Sequence, residues 1–244
     1  MSAQTHKGNT PALTVLGSLF FMLGFITCMN DILIPHLKEI FNLTYVQAML
    51  IQFCFFSAYA IMSIPMGHFV EKFGYKTGVI GGFVVAAIGC LLFYPAAGSH
   101  SYAVFLGALF ILASGIVLLQ VAGNPYVTLL APKGKESTTL TLIQAFNSLA
   151  TMIAPPLGAM LIFVDATASE AERISSVQIP YLGLAGFMLL LAVAVALIKL
   201  PDARKIAQEE TEANHDGKTS VWQYKHMVFG AAGIFCYVGA EVAT

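Results

Sequence analysis

The chain has 244 residues, of which 57% are hydrophobic and only 10% are charged, and its mean hydropathy is +0.77. A water-soluble domain of this length cannot bury so much apolar surface, so the composition excludes that class and predicts a polytopic membrane protein. The net charge is −1 and no basic tract occurs, so nucleic acid is not an expected partner. The lipid bilayer is the expected environment.

Apolar runs of about 20 residues, the length that crosses a bilayer as a helix, recur along the chain. They predict an all-α fold with spans near 13–36, 45–70, 77–97, 102–130, 140–164 and 178–200, and a seventh from about 226 that still continues at Thr244. The stretch between the last two runs is too polar to enter the bilayer. We therefore expect a six-helix bundle over 1–200, a linker over 201–225, and at 226–244 the first helix of a truncated second bundle.

The basic residues predict the orientation of these spans. When the spans alternate in direction, two of the 12 lysines and arginines, Lys38 and Arg173, fall on the side opposite the N-terminus. Cytoplasmic loops of membrane proteins carry an excess of Lys and Arg. The N-terminus is therefore predicted to be cytoplasmic.

Polar side chains inside the spans are candidates for a binding site. Asp31 lies in the first apolar run and Glu241 in the seventh, and a carboxylate within a span is costly enough to indicate a functional role. Amides recur on one helical face of the fourth and fifth spans. The uncharged candidates are Asn30, Gln52, Gln120, Asn124, Gln144 and Asn147. For these uncharged groups, hydrogen bonding that only holds helices together remains an open alternative.

A carboxylate surrounded by amides suits a polyhydroxylated ligand, because each sugar hydroxyl both donates and accepts a hydrogen bond, as amides do. The sequence contains no hydrolytic motif, phosphate-binding glycine loop or Cys/His cluster. We therefore expect neither an enzyme nor a cofactor nor a metal site.

A charged turn follows the second span. Residues 67–76 read Gly-His-Phe-Val-Glu-Lys-Phe-Gly-Tyr-Lys and resemble the major facilitator superfamily signature, Gly-x-x-x-Asp-Arg-x-Gly-Arg-Arg. In that superfamily the motif implies a cytoplasmic gate, in which acid and base pair across helix ends. The matching positions here are Gly67, Glu71, Lys72, Gly74 and Lys76.

Further segments, at 19–21, 30–35, 123–128, 144–148 and 236–241, resemble the fucose/galactose/glucose:proton symporter family within that superfamily. The resemblance implies twelve helices in two bundles, each built from two inverted three-helix repeats, with a sugar site near the midplane. It implies a monomeric secondary transporter in the bacterial inner membrane.

The implied activity is import of a monosaccharide such as fucose, galactose or glucose by proton symport with alternating access. Asp31 and Glu241 would couple protons, and the uncharged candidates would bind the sugar. Gln120 stands where fucose permeases of this family carry a carboxylate. The alternatives are a sodium-coupled or uncoupled sugar carrier, a non-transporting fragment of one and, less favoured, a seven-helix receptor.

Overall fold

The computed structural model describes residues 10–40, 43–98, 101–162, 170–198 and 224–243, and most of these residues lie in helices. The helices are α1 Thr10–Ile40, α2 Tyr45–Phe73, α3 Tyr75–Gly98, α4 Tyr102–Leu130, α5 Glu136–Ile162, α6 Glu170–Leu197 and α7 Lys225–Ala243. Each of α1 to α6 contains a segment that is long and apolar enough to cross a membrane. The predicted linker, 201–225, lies almost wholly outside the described residues.

The chain divides into two compact units, Met1–Arg204 and Lys205–Thr244. The first unit contains α1 to α6 and carries the core, while the second contains α7. The six-helix unit is the one whose internal packing is described below.

Contacts between helix ends show that successive helices of this unit alternate in direction. Lys76, at the start of α3, donates hydrogen bonds of 2.9 Å to the carbonyl oxygens of Ala196 and Ile198 at the end of α6. The Tyr102 hydroxyl, at the start of α4, donates to the Gln47 carbonyl near the start of α2 at 2.6 Å. We call the two sides of the bundle the α1-start side and the α1-end side.

The tightest packing joins α3 to α4, and small residues allow it. A Cβ atom on Gly89 would lie 2.5 Å from Leu112 Cα, and one on Gly115 would overlap the Ala86 backbone. Van der Waals packing of this kind drives association of helices in membranes, where the hydrophobic effect between them is absent.

Helix pairing in the unit is close to two-fold symmetric. α1 packs along α5, and α2 packs along α4. If α1, α2 and α3 are taken as the counterparts of α4, α5 and α6, these two helix pairs are equivalent. The symmetry fails where α3 packs extensively on α4, because the corresponding α1–α6 contact is slight. A mainly apolar cavity of about 520 Å³ opens there between α1, α5 and α6, and its lining includes Leu13, Phe21, Phe146 and Phe187.

The turn between α2 and α3 consists of Gly74 alone, with φ of 90°. Residues with a Cβ atom rarely adopt this backbone conformation, so glycine is favoured at this position. At its other end α2 begins with a capping box, in which Thr44 Oγ1 accepts from the Gln47 N–H and Gln47 Oε1 accepts from the Thr44 N–H.

Candidate functional site

The Asp31 carboxylate lies at the surface of the six-helix unit, on α1. It accepts a hydrogen bond from the side chain of Gln52 on α2. The other polar atom of that amide, Gln52 Oε1, is buried and has no hydrogen-bond partner among the described residues. The preceding residue, Asn30, is only 1% exposed, and its Nδ2 also lacks a partner there. Asp31 therefore sits beside two buried amides whose hydrogen-bonding capacity is not fully used.

A second group of polar side chains joins α2, α4 and α5. Tyr59 on α2 is hydrogen-bonded to the Gln120 side chain on α4. Four residues further along α4, the Asn124 Oδ1 atom accepts a hydrogen bond of 3.4 Å from Gln144 Nε2 on α5. Gln120 and Asn124 are half-buried, whereas Gln144 is exposed. Of the amides predicted from the sequence, Asn124 and Gln144 thus pair with each other across helices, whereas Gln120 pairs with a tyrosine.

Asn147 connects α5 to α1 rather than to the other amides. Its Nδ2 donates a hydrogen bond of 3.1 Å to the Phe20 carbonyl oxygen. The two helices meet closely here, because a Cβ atom on Gly24 would overlap the Asn147 backbone carbonyl. One turn further, the Cys28 thiol points to the Thr151 carbonyl at 3.7 Å.

The candidates occupy two depths in the bundle. At 1.5 Å per residue, Asp31 lies about 14 Å from the end of α1, and Gln52 about 10 Å from the start of α2. Measured from the α1-start side, Gln120 lies about 15 Å and Gln144 about 12 Å from their helix ends. Asp31 and Gln52 are therefore nearer the α1-end side, and Gln120 and Gln144 are nearer the α1-start side.

The motif over 67–76 divides between a turn and a helix-end contact. Gly74 forms the turn, and Lys76 holds the end of α6. Glu71 and Lys72 are exposed, and Lys72 Nζ lies 5.5 Å from the centre of the neighbouring Phe73 ring. A Cβ atom on Gly67 would meet no atom within 4 Å. The predicted pairing of acid and base across helix ends stays a prediction.

Glu241 lies in α7, in the second unit, and its side chain is outside the described residues. Its predicted role therefore stays a prediction. Among the described residues, no group of three or more His, Cys, Asp or Glu side chains could hold a metal ion.

Two aromatic features lie beyond the candidate set. Tyr75 stacks on Tyr126 with ring centres 5.8 Å apart, joining the start of α3 to the end of α4. Tyr181 on α6 packs on Phe93 and is buried, and its hydroxyl has no hydrogen-bond partner in the part of the chain that the structure describes. A single tyrosine inside an apolar span gives no sequence pattern that distinguishes it from packing residues, so Tyr181 could not be selected from the sequence.

A bundle of membrane-length helices with polar side chains on its inner faces is the architecture of a polytopic membrane carrier. Residues 15–243 match the Major Facilitator Superfamily, and the chain belongs to that superfamily. It is therefore an integral membrane protein of a transporter family, not an enzyme.

The curated relatives that it resembles are sugar transporters. The chain is 57% identical over 242 residues to the putative glucose/galactose transporter of Helicobacter pylori, covering 96% of this chain and 58% of the relative. It is 56% identical to the glucose/galactose transporter of Brucella abortus, covering 95% and 56%. It is 34% identical to the L-fucose-proton symporter of Escherichia coli, covering 94% and 56%. The chain thus spans little more than half the length of these relatives.

A solved structure supports the fold directly. The crystal structure of the Major Facilitator Superfamily transporter FucP in the outward conformation matches with a TM-score of 0.68 and 37% identity, over 78% of this chain and 50% of that one. The predicted fold class is therefore confirmed: an all-α, six-helix N-terminal bundle of the major facilitator type, followed by a further helix.

Proposed function

We propose that the complete protein imports a monosaccharide by proton symport with alternating access. The observation that carries the proposal is the Asp31 carboxylate, held by Gln52 at the surface of a bundle whose neighbouring helices present amides. The names of the relatives support a hexose or a deoxyhexose as the substrate. The distribution of Lys and Arg between the two sides supports a cytoplasmic N-terminus, and the bacterial sources of the relatives support a bacterial inner membrane.

The Asp31–Gln52 pair is suited to holding a proton reversibly. When Asp31 is ionised, it accepts the Gln52 N–H and leaves Gln52 Oε1 buried without a partner. When it is protonated, its O–H can donate to that oxygen, since a carboxylic acid and an amide offer one donor and one acceptor each. The same amide therefore stabilises both protonation states, and a change of charge does not require the helices to separate.

The amides on α4 and α5 are the proposed sugar ligands. The Asn124–Gln144 hydrogen bond is long, at 3.4 Å, and Gln144 is exposed, so sugar hydroxyls can replace it at low cost. Gln120 and Asn147 would extend the same surface, and Asn30 is the proposed ligand nearest the carboxylate. Proton binding at Asp31 removes its negative charge, after which the loaded carrier can reorient.

The coupling and gating roles are proposed for the following residues. Gln120 cannot bind a proton at neutral pH, so within the first bundle we assign proton coupling to Asp31 alone. Glu241, in α7, is the proposed second coupling carboxylate. The motif residues Gly67, Glu71, Lys72, Gly74 and Lys76 are proposed to gate the cytoplasmic side.

The proposal is tested by Asp31→Asn in the protein expressed from its complete gene and reconstituted in proteoliposomes. We expect loss of sugar accumulation driven by a pH gradient, with sugar counterflow retained, because the variant can bind and exchange sugar but cannot carry the proton. Glu136→Gln, which removes an exposed carboxylate at the start of α5, is the matched control and should keep accumulation.

Accumulation by Asp31→Asn at the native level would refute the assignment. A native protein that accumulates sugar under a sodium gradient but not under a pH gradient would instead identify sodium coupling. Counterflow without accumulation under either gradient would identify an uncoupled carrier.

A further inference from the structure

The cavity between α1, α5 and α6 has no part in the proposed mechanism. Its volume is about 520 Å³, which is within the range of pockets that enclose small molecules. Leu142 and Phe146 line it on α5, and Phe187 lines it on α6. All three side chains are exposed in the six-helix unit, so the cavity is open at its side. Apolar cavities stay free of water, so hydrocarbon is the ligand chemistry that this one suits.

The cavity is as long as one leaflet of a bilayer is thick. On α1 it extends from Leu13 to Met22, a rise of about 14 Å at 1.5 Å per residue. Half of the hydrocarbon thickness of a bilayer is about 15 Å. On α5 the lining extends from Thr139 to Phe146, in the first half of that helix, and α1 and α5 start on the same side of the bundle. The cavity therefore has the length of one acyl chain in the leaflet on the α1-start side.

A lysine lies at the end of the cavity that is nearest the membrane surface. The Lys135 carbonyl accepts a hydrogen bond of 2.9 Å from the Thr139 N–H, so Lys135 is one helical turn before the first lining residue of α5. Lys135 begins a series of positions at spacings of four, three and four that ends at Phe146, and such a series lies on one helical face. The lysine side chain is exposed, and the neighbouring Glu136 carboxylate accepts the Gly134 N–H at 2.8 Å. The apolar recess is thus continued by a cation at the level of the lipid head groups.

The cavity does not suit the sugar proposed above. The polar side chains of its lining are three hydroxyls, on Thr14, Ser18 and Thr139. The Ser18 hydroxyl is used within α1, where it donates to the Thr14 carbonyl at 3.1 Å. Gln144 lies two residues from both Leu142 and Phe146, so it is on the opposite face of α5. The cavity and the amides proposed to bind sugar are therefore separate.

We propose that this cavity binds one acyl chain of an anionic phospholipid from the leaflet on the α1-start side, with Lys135 binding the phosphate of the head group. Cationic side chains next to the ends of transmembrane helices attract anionic lipids. At the equivalent position on the other side of the unit, Gly89 and Gly115 let α3 and α4 close the gap. The acyl chain fills the space that the slight α1–α6 contact leaves. The proposal depends on the membrane location of the bundle and not on its solute.

Gly17→Leu tests the cavity by filling it. A Cβ atom on Gly17 would lie 3.7 Å from the Phe146 ring, an ordinary van der Waals contact, so a side chain can be accommodated there and occupies the cavity. The probe is phosphatidylglycerol, added to the protein expressed from the complete gene and purified in detergent. The readout is the fraction of protein that carries one lipid molecule in native mass spectrometry. Gly17→Leu should bind this lipid about tenfold more weakly than the native protein, the effect of displacing two methylene groups.

Gly107→Leu is the matched control for the filled cavity, because a Cβ atom at that position of α4 meets no atom within 4 Å. It should bind phosphatidylglycerol as the native protein does. Should Gly17→Leu show no thermal unfolding transition, Leu142→Trp fills the same cavity from an exposed position on α5 and should weaken binding in the same way.

Lys135→Gln tests the head group. It should weaken phosphatidylglycerol binding about fivefold, the usual contribution of one lysine at an anionic membrane surface. Binding of phosphatidylcholine, which has no net charge, should stay at the weaker native level. Lys38→Gln is the control, because it removes an exposed lysine near the other end of α1, and it should leave the binding of both lipids unchanged.

The results distinguish the two parts of the site. Native-level binding of phosphatidylglycerol by the variants that fill the cavity would overturn the acyl-chain site. Equal binding of the two lipids by the native protein, or by Lys135→Gln at the native level, would overturn the role of the lysine. Neither readout involves Asp31 or sugar, so failure of this proposal leaves the proposed function standing.

Discussion

The contact between Gly24 and Asn147 couples helix packing to the candidate site, and Gly24→Ala tests that coupling. In the native chain α1 and α5 meet so closely that a Cβ atom on Gly24 would overlap the Asn147 carbonyl oxygen and lie 3.0 Å from its Cγ. Ordinary contacts of this kind measure 3.4–4 Å. The obstructing atom is backbone, so the helices must separate by about 1 Å.

This separation has two costs and one compensation. Overpacking a well-packed interface costs about 1–3 kcal/mol. A displacement of this size also breaks the 3.1 Å hydrogen bond from Asn147 to the Phe20 carbonyl, which is worth about 1 kcal/mol. Alanine regains about 1 kcal/mol of helix propensity over glycine. The net expectation is a destabilisation of about 1–3 kcal/mol, together with a misplaced Asn147 amide.

Gly107→Ala is the matched control, because Gly107 lies inside α4 and a Cβ atom there meets no atom within 4 Å. This control should be neutral or stabilised by up to about 1 kcal/mol. In a chain of this size each kcal/mol corresponds to about 2–4 °C, so a difference of about 1–4 kcal/mol should separate the two variants by roughly 2–16 °C in thermal unfolding in detergent. Equal Tm values would refute the close approach of α1 and α5.

Three further predictions concern helix ends and the amide pair. Lys76→Met should lower the unfolding free energy by about 1–2 kcal/mol, because two carbonyls at the end of α6 lose their donor, whereas Lys72→Met should change it little; similar Tm losses would contradict this. Thr44→Ala should cost about 1 kcal/mol through loss of the α2 cap, and an unchanged Tm would show that the cap contributes nothing. Asn124→Ala and Gln144→Ala should each weaken sugar binding about three- to tenfold, measured as Kd by calorimetry on the complete protein, and native Kd values would remove this pair from the site.

Hydropathy predicted the existence and order of the helices but placed their ends less well. The first span was predicted over 13–36, and α1 extends to Thr10 and Ile40. The fifth was predicted from residue 140, and α5 begins at Glu136. A drop in hydropathy marks where a chain leaves the apolar layer, whereas a helix continues until its backbone hydrogen bonds end.

The polar residues of the site could be selected from the sequence, but their partners could not. Helical periodicity put Gln120 and Asn124 on one face of α4. Periodicity does not predict that Gln120 pairs with Tyr59 or that Asn124 pairs with Gln144. These pairings depend on the axial positions of α2 and α5 relative to α4. Tyr181 could not be selected from the sequence for a related reason. What distinguishes it is a buried hydroxyl without a hydrogen-bond partner among the described residues, and this is known only once its neighbours are placed.

The difference between Asp31 and Gln120 explains why, within the first bundle, we propose proton coupling for Asp31 and not for Gln120. Gln120 both donates and accepts, so its hydrogen bond with Tyr59 is complete without any change of charge. Asp31 is bonded to an amide that keeps one buried polar atom unused, and protonation is the change that would satisfy it. Gln120 thus forms a neutral pair with Tyr59, whereas Asp31 is paired with an amide that can serve both of its protonation states. The proposed mechanism, in which a proton binds and leaves once per cycle, therefore uses Asp31 and not Gln120.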